Sequence, residues 1–95
     1  MTVGDRVAGM LAGKRALVYG GGTGIGLACA EAMAREGAAV FLSSRREGVL
    51  REAAQQLAPI GTAGFAAGDA TVVADVQRVT EAAVRFLGGL DTIVV

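Results

Sequence analysis

The chain has 95 residues, of which 53% are hydrophobic and 19% charged, and nine lysines and arginines balance nine aspartates and glutamates. This length allows one small domain, and the composition is typical of a globular chain rather than a disordered one. The lack of net or clustered positive charge argues against nucleic acid and against an anionic membrane surface as partners.

The single cysteine excludes an internal disulfide and, because the chain has no histidine, a zinc site is not predicted either. We therefore expect a reducing, cytoplasmic environment. Residues 1–10 lack an uninterrupted apolar core, which indicates a flexible lead-in rather than a secretory signal. No apolar run in the sequence has the length of a membrane span.

Short apolar segments alternate with helical patterns from residue 11 onward. Residues 16–19, 39–42, 62–67 and 92–95 predict buried strands. The spacing of apolar residues over 50–57 and 72–86 predicts the second and third helices. A first helix is predicted between residue 25 and Gly37, with these side chains facing the core: Ile25, Ala28, Cys29, Ala32 and Met33.

This alternation predicts an α/β fold with a parallel sheet whose strands are joined by helical crossovers. Right-handed crossovers give the strand order 3-2-1-4, with the first two helices on one face and the third on the other. We therefore predict an incomplete, doubly wound, Rossmann-like domain over residues 11–95. Its last strand and thinly covered face should be exposed unless an oligomer partner or further chain covers them.

A glycine-rich turn, GGGTGIG at 20–26, follows the first strand and begins the first helix. Gly20 allows the chain to reverse, Gly24 leaves room for a phosphate, and Gly26 lets the helix approach the strands. Unpaired N–H groups and the helix dipole favour an anion there, and Thr23 adds a hydroxyl donor. Alternatively, the glycines only make a tight connection. Because the motif lies in a βαβ unit, we predict a nucleotide site formed by Gly20, Gly22, Thr23, Gly24, Ile25 and Gly26.

The segment ALVYGGGTGIG, at 16–26, resembles the TGxxxGxG segment of the short-chain dehydrogenase/reductase family. Segments LAGK at 11–14, GAAV at 37–40, GDAT at 68–71 and GLDTIVV at 89–95 resemble the family in order and spacing. Tyr19 stands where the family usually has threonine, and we expect it to fill core. The resemblance implies an NAD(P)-dependent oxidoreductase that transfers hydride between the nicotinamide and a carbonyl or alcohol substrate.

The resemblance also implies that the Asp69 carboxylate contacts the amino group of adenine, with the backbone of Ala70 beside it. The alternative for Asp69 is a turn-forming or helix-capping role.

The end of the second strand favours NADP over NAD. NAD-binding units carry an acidic residue about 20 residues past the glycines, whereas this chain has two serines and two arginines at 43–46. Hydroxyl and guanidinium groups suit a 2′-phosphate, so we predict that Ser44, Arg45 and Arg46 bind it. In the alternative, Ser44 and Glu47 form a capping box and the arginines are simply solvated; Ser44 can serve in both roles.

The family's asparagine-rich turn, catalytic serine and YxxxK pair do not occur in the 95 residues, so we predict no catalytic residue here. Our first hypothesis is the NADP-binding N-terminal part of an oxidoreductase. A second is a stand-alone nucleotide-binding module without chemistry. A third is a remnant that binds nothing and associates through its open sheet edge.

Overall fold

The computed structural model describes residues 11–94, which form a four-stranded parallel sheet with three helices. In chain order the elements are β1 (Arg15–Tyr19), α1 (Gly24–Arg35), β2 (Ala39–Ser44), α2 (Glu47–Leu57), β3 (Ala63–Ala67), α3 (Val73–Leu87) and β4 (Thr92–Val94). The strand order is β3-β2-β1-β4, which confirms the predicted incomplete Rossmann-like fold. The predicted lead-in at 1–10 lies outside the described residues, as does Val95.

The sheet separates two apolar clusters, because successive side chains of a strand point to opposite faces. The cluster beneath α1 and α2 consists of Ala16, Val18, Ala30, Ala38, Val40, Leu42, Leu50, Ala53 and Leu57. The cluster beneath α3 consists of Leu17, Phe41, Val79 and Ala83. The helices therefore lie on the faces that the crossover rule predicted. The structure describes no helix in residues 11–94 with the length and apolar character needed to cross a membrane.

The predicted core-facing stripe of α1 is wrong for Ile25, Ala28 and Ala32, whereas Met33 does pack against the core. Ile25 is 84% exposed, and Ala28 and Ala32 are exposed as well. The helix instead buries Ala30 and Ala34. Small apolar residues occur on both sides of this helix, so helical periodicity alone did not identify the buried side.

Gly26 sets the rotation of α1. A Cβ at this position would overlap the carbonyl oxygen of Gly20, so only glycine allows the helix to approach the end of β1 this closely. Residues four and eight positions further on share the same side of a helix, and these are Ala30 and Ala34. Cys29, which was predicted to face the core, is only half-buried.

Arg15 anchors the start of β4 to the start of β1. Its backbone N–H and its Nε donate to Oδ2 of Asp91 at 2.9 and 3.1 Å, and Nη1 donates to the carbonyl of Gly88 at 3.1 Å. The hydrogen bond to Arg15 lowers the pKa of the Asp91 carboxyl and raises the pKa of Arg15. β4 is nevertheless an edge strand, and Ile93 is 51% exposed, as expected for a partly covered sheet.

Candidate nucleotide-binding site

A cleft of about 340 Å³ opens at the carboxyl ends of β1, β2 and β3. Ligands of open α/β sheets bind at this edge, because the loops that follow parallel strands converge there. The cleft is lined by Tyr19, Gly20, Ser43, Ser44, Arg45, Gly68, Asp69, Ala70 and Thr71. The structure thus brings together five predicted cofactor-binding residues: Gly20, Ser44, Arg45, Asp69 and Ala70.

The other predicted cofactor-binding residues lie outside the walls of this cleft. Residues 23–25 are exposed at the N-terminus of α1, and Gly26 is the third residue of that helix. Arg46 is exposed and is the N-cap residue of α2. Gly22 is buried, and a Cβ there would lie 2.7 Å from Cγ1 of Val49. Gly22 therefore allows α2 to pack against the turn.

The turn over residues 20–26, here called the glycine turn, exposes the first N–H groups of α1. Gly20 and Gly24 have positive φ angles of 73° and 60°, which side-chain-bearing residues rarely adopt. Thr23 is the N-cap, but its side chain makes no capping hydrogen bond, and the first turn of α1 has no acidic residue. The N–H groups and the Thr23 hydroxyl are therefore available to an anion.

At the end of β2, Ser44 forms a local turn rather than a capping box. Its Oγ accepts a hydrogen bond from the N–H of Arg46 at 3.3 Å. α2 begins at Glu47, with Arg46 as an N-cap residue that makes no side-chain capping bond. The alternative in which Ser44 and Glu47 cap the helix is therefore wrong, because the helix begins too late for Ser44 to be its N-cap. Arg45 lines the cleft with its charged side chain exposed.

Asp69 forms the turn that follows β3. Its Oδ1 accepts hydrogen bonds from the Thr71 hydroxyl at 2.6 Å and from the Thr71 N–H at 2.8 Å, so Asp69 does form a turn, while its contact with adenine stays a prediction. The Thr71 hydroxyl, the Thr71 N–H and the charge of Arg45 lower the pKa of the Asp69 carboxyl. The carboxylate is thus ionised at neutral pH, and no described residue donates a hydrogen bond to Oδ2.

Four further residues line the cleft and were not predicted to do so: Tyr19, Ser43, Gly68 and Thr71. Ser43 is fully buried, and neither its Oγ nor the Tyr19 hydroxyl has a hydrogen-bond partner among the described residues. The two residues are paired in register on β1 and β2 and both line the cleft. A serine directly after four apolar residues of the strand was the available sequence signal for Ser43. Tyr19 packs against the cluster beneath α3 as predicted, but it is only half-buried and also lines the cleft.

Comparisons with known proteins agree with this architecture. The sequence profile described as short chain dehydrogenase matches residues 14–95. The chain is 41% identical over 83 residues to an oxidoreductase of Sarocladium schorii, and this match covers 87% of this chain and 32% of that protein. It is 39% identical over 85 residues to a glucose 1-dehydrogenase of Gluconobacter oxydans, again covering 87% of this chain and 32% of that protein.

A solved structure of a short chain dehydrogenase from Mycobacterium smegmatis superposes with a TM-score of 0.85 at 35% sequence identity, covering 90% of this chain and 37% of that one. The chain thus spans about a third of the length of the curated relatives it matches. With the strand order, the glycine turn and the profile match in agreement, the chain belongs to the short-chain dehydrogenase family.

Proposed function

We propose that this chain forms the NADP-binding part of an oxidoreductase that transfers hydride between the cofactor and a carbonyl or alcohol substrate. The observation that carries the proposal is the cleft at the carboxyl edge of the sheet. A guanidinium group from Arg45, a hydroxyl from Ser44 and a carboxylate from Asp69 line this single cleft. Gly20, which also lines the cleft, is followed along the chain by the N-terminus of α1, which has no side-chain cap.

The residues present fit the adenosine and pyrophosphate parts of a nicotinamide dinucleotide. The glycine turn would hold the pyrophosphate through its N–H groups, and the Thr23 hydroxyl would add a donor. Asp69 would accept from the adenine amino group beside the Ala70 backbone. Ser43 also lines the cleft, and its buried Oγ has no hydrogen-bond partner among the described residues.

The preference for NADP rests on charge at the end of β2. Residues 43–46 are two serines and two arginines. This segment therefore contains no carboxylate that would repel a 2′-phosphate. Arg45 is exposed and reaches the cleft, and a guanidinium group binds phosphate through paired N–H donors.

The bound cofactor would supply the hydride acceptor or donor. The residues described here bind and orient its adenosine diphosphate half, and we assign none of them a proton transfer. The glycine turn fixes the phosphates by backbone amides, and Asp69, ionised at neutral pH, accepts a hydrogen bond without giving up a proton.

The test is a titration of the purified protein with NADP and, separately, with NAD, in which the temperature of thermal unfolding is measured at each concentration. We expect NADP to raise the unfolding temperature more than NAD at equal concentration. Arg45→Ala should weaken the binding of NADP about tenfold, because a charge-assisted hydrogen bond is lost. The same variant should leave the affinity for NAD nearly unchanged.

The matched control is Arg51→Ala, an exposed arginine on α2 that does not line the cleft. It should leave both affinities unchanged. Stronger binding of NAD than NADP, or an equal loss for both cofactors in Arg45→Ala, would contradict the NADP assignment. No binding of either cofactor would contradict the proposed function itself.

A further inference from the structure

We propose that Asp75 and Arg78, on the first two turns of α3, are positioning residues for the adenine of the cofactor. They act through the turn over residues 68–72, here called the β3–α3 turn, which carries Asp69 and Ala70 into the cleft. This inference rests on the proposed function, since it concerns how that turn presents the Asp69 carboxylate to the base.

Two side chains of α3 bind the backbone on either side of Gly68. Oδ2 of Asp75 accepts a hydrogen bond from the N–H of Asp69 at 2.9 Å. Nη2 of Arg78 donates to the carbonyl oxygen of Ala67 at 2.7 Å and lies 3.6 Å from Oδ1 of Asp75. The two side chains thus form an ion pair that also spans the backbone from residue 67 to residue 69.

Gly68, between these two contacts, is fixed as well. Its N–H donates to the carbonyl of Ser44 at 2.8 Å, which ties the turn to the end of β2. A Cβ on Gly68 would lie 2.8 Å from Cγ2 of Val79 and 3.3 Å from Nη2 of Arg78. α3 therefore packs directly against the backbone of the turn, and three consecutive residues are held relative to both β2 and α3.

The pair borders the binding cleft. A second, smaller cleft of about 270 Å³ is lined by Asp75 and Arg78 together with Arg45, Gly68 and Asp69, and the last three also line the larger cleft. The side chains of Arg78 and Asp75 are 54% and 34% exposed. An ion pair this exposed contributes little to stability, so its main effect is local, on the direction of the turn.

The direction of the β3–α3 turn affects the recognition of the adenine base of the cofactor. An amino group on the base donates to a carboxylate, whereas a carbonyl oxygen at the same position would face another acceptor. The preference requires Oδ2 of Asp69 to point at the base, and the Asp69 backbone is held by Asp75. Loosening the turn would remove the preference for adenine without removing the phosphate contacts of the glycine turn.

The experiment compares the dissociation constants of the purified protein for NADP and for its hypoxanthine analogue, in which a carbonyl replaces the amino group. In the unmodified protein we expect NADP to bind about tenfold more tightly than the analogue. In Asp75→Ala and in Arg78→Met this ratio should fall to within about twofold, mainly through weaker NADP binding. Asp75→Asn keeps an acceptor and should retain most of the ratio.

Matched controls lie on the same helix. Glu81→Ala and Arg85→Met remove exposed charges of the same kinds, neither of which lines the clefts, and should leave the ratio unchanged. The temperature of unfolding without ligand shows whether each variant is folded. If Asp75→Ala does not fold, the test uses Arg78→Met. The Arg78 side chain is 54% exposed, so this variant is expected to fold.

The outcomes separate the inference from the function on which it rests. An unchanged ratio in the folded variants, or an equal loss for both ligands, overturns the positioning role. A ratio near one in the unmodified protein also overturns it, while the dinucleotide site remains supported. If the unmodified protein binds neither ligand, the proposed function fails, and the inference fails with it.

Discussion

The two turns that meet at the cleft are held in different ways. The glycine turn is shaped by steric fit: Gly26 lies against the carbonyl of Gly20, and the N-cap residue Thr23 makes no side-chain capping bond. The β3–α3 turn is shaped by side chains, with Asp69 bound to Thr71 and its N–H bound to Asp75. The first arrangement leaves the N-terminus of α1 without a side-chain cap, whereas the second holds a carboxylate.

The largest effect should come from Gly26→Ala, which attacks the steric fit of the glycine turn. The added Cβ would overlap a backbone carbonyl, which cannot move without displacing either β1 or α1. We expect a loss of more than about 3 kcal/mol in the free energy of unfolding, or no folded protein, measured by urea unfolding.

Gly24→Ala is the control for this variant. A Cβ at Gly24 meets nothing within 4 Å, so the cost comes only from its positive φ of 60°. That cost is about 1–2 kcal/mol. Equal losses in the two variants would show that helix contact does not hold the glycine turn.

An intermediate effect is expected in the β3–α3 turn from Thr71→Val, which removes a hydroxyl but keeps the side-chain shape. The Thr71 hydroxyl is the largest cause of the lowered pKa of Asp69, so the variant should raise that pKa toward the ordinary value of 3.8. NMR titration of the Asp69 carboxyl carbon measures the change. An unaltered pKa would mean that the Thr71 hydroxyl does not bind Asp69.

The stability of Thr71→Val relative to the unmodified protein should depend on pH. Because folding lowers the pKa of Asp69, its ionisation stabilises the fold above the unfolded pKa, and this contribution is lost as the pH falls through the folded pKa. The difference in stability between Thr71→Val and the unmodified protein should therefore be largest above about pH 4 and decrease in more acid solution. Urea unfolding at several pH values measures this difference.

The smallest effect on stability should come from Thr23→Ala in the glycine turn. Replacing a threonine N-cap usually costs about 1 kcal/mol, but here the side chain makes no capping bond, so we expect a loss below about 0.5 kcal/mol. NADP affinity should still fall several-fold if the hydroxyl donates to phosphate. A loss of stability of the usual size, with unchanged NADP affinity, would instead show that Thr23 is a helix cap.

Sequence patterns predicted the fold, whereas the cofactor-binding roles of the site residues stay predictions. The four strands, the three helices and their order followed from apolar periodicity and from the crossover rule. The structure brings Ser44, Arg45 and Asp69 together in one cleft, because chain segments that follow parallel strands meet at one edge. The rotation of α1 was not predicted, since its small apolar residues occur on several sides and the contact of Gly26 decides among them.

Sequence alone determined which segments form strands and helices, the order of the strands, and the glycine-rich turn between β1 and α1. The segments and the turn depend on local periodicity and on the conformational freedom of glycine, and the strand order follows from the handedness of the crossovers. Tertiary structure alone decided that Asp75 and Arg78 hold the β3–α3 turn and that Ser43 lines the cleft. These features are contacts between separate elements, and their partners are chosen by how the helices and strands pack.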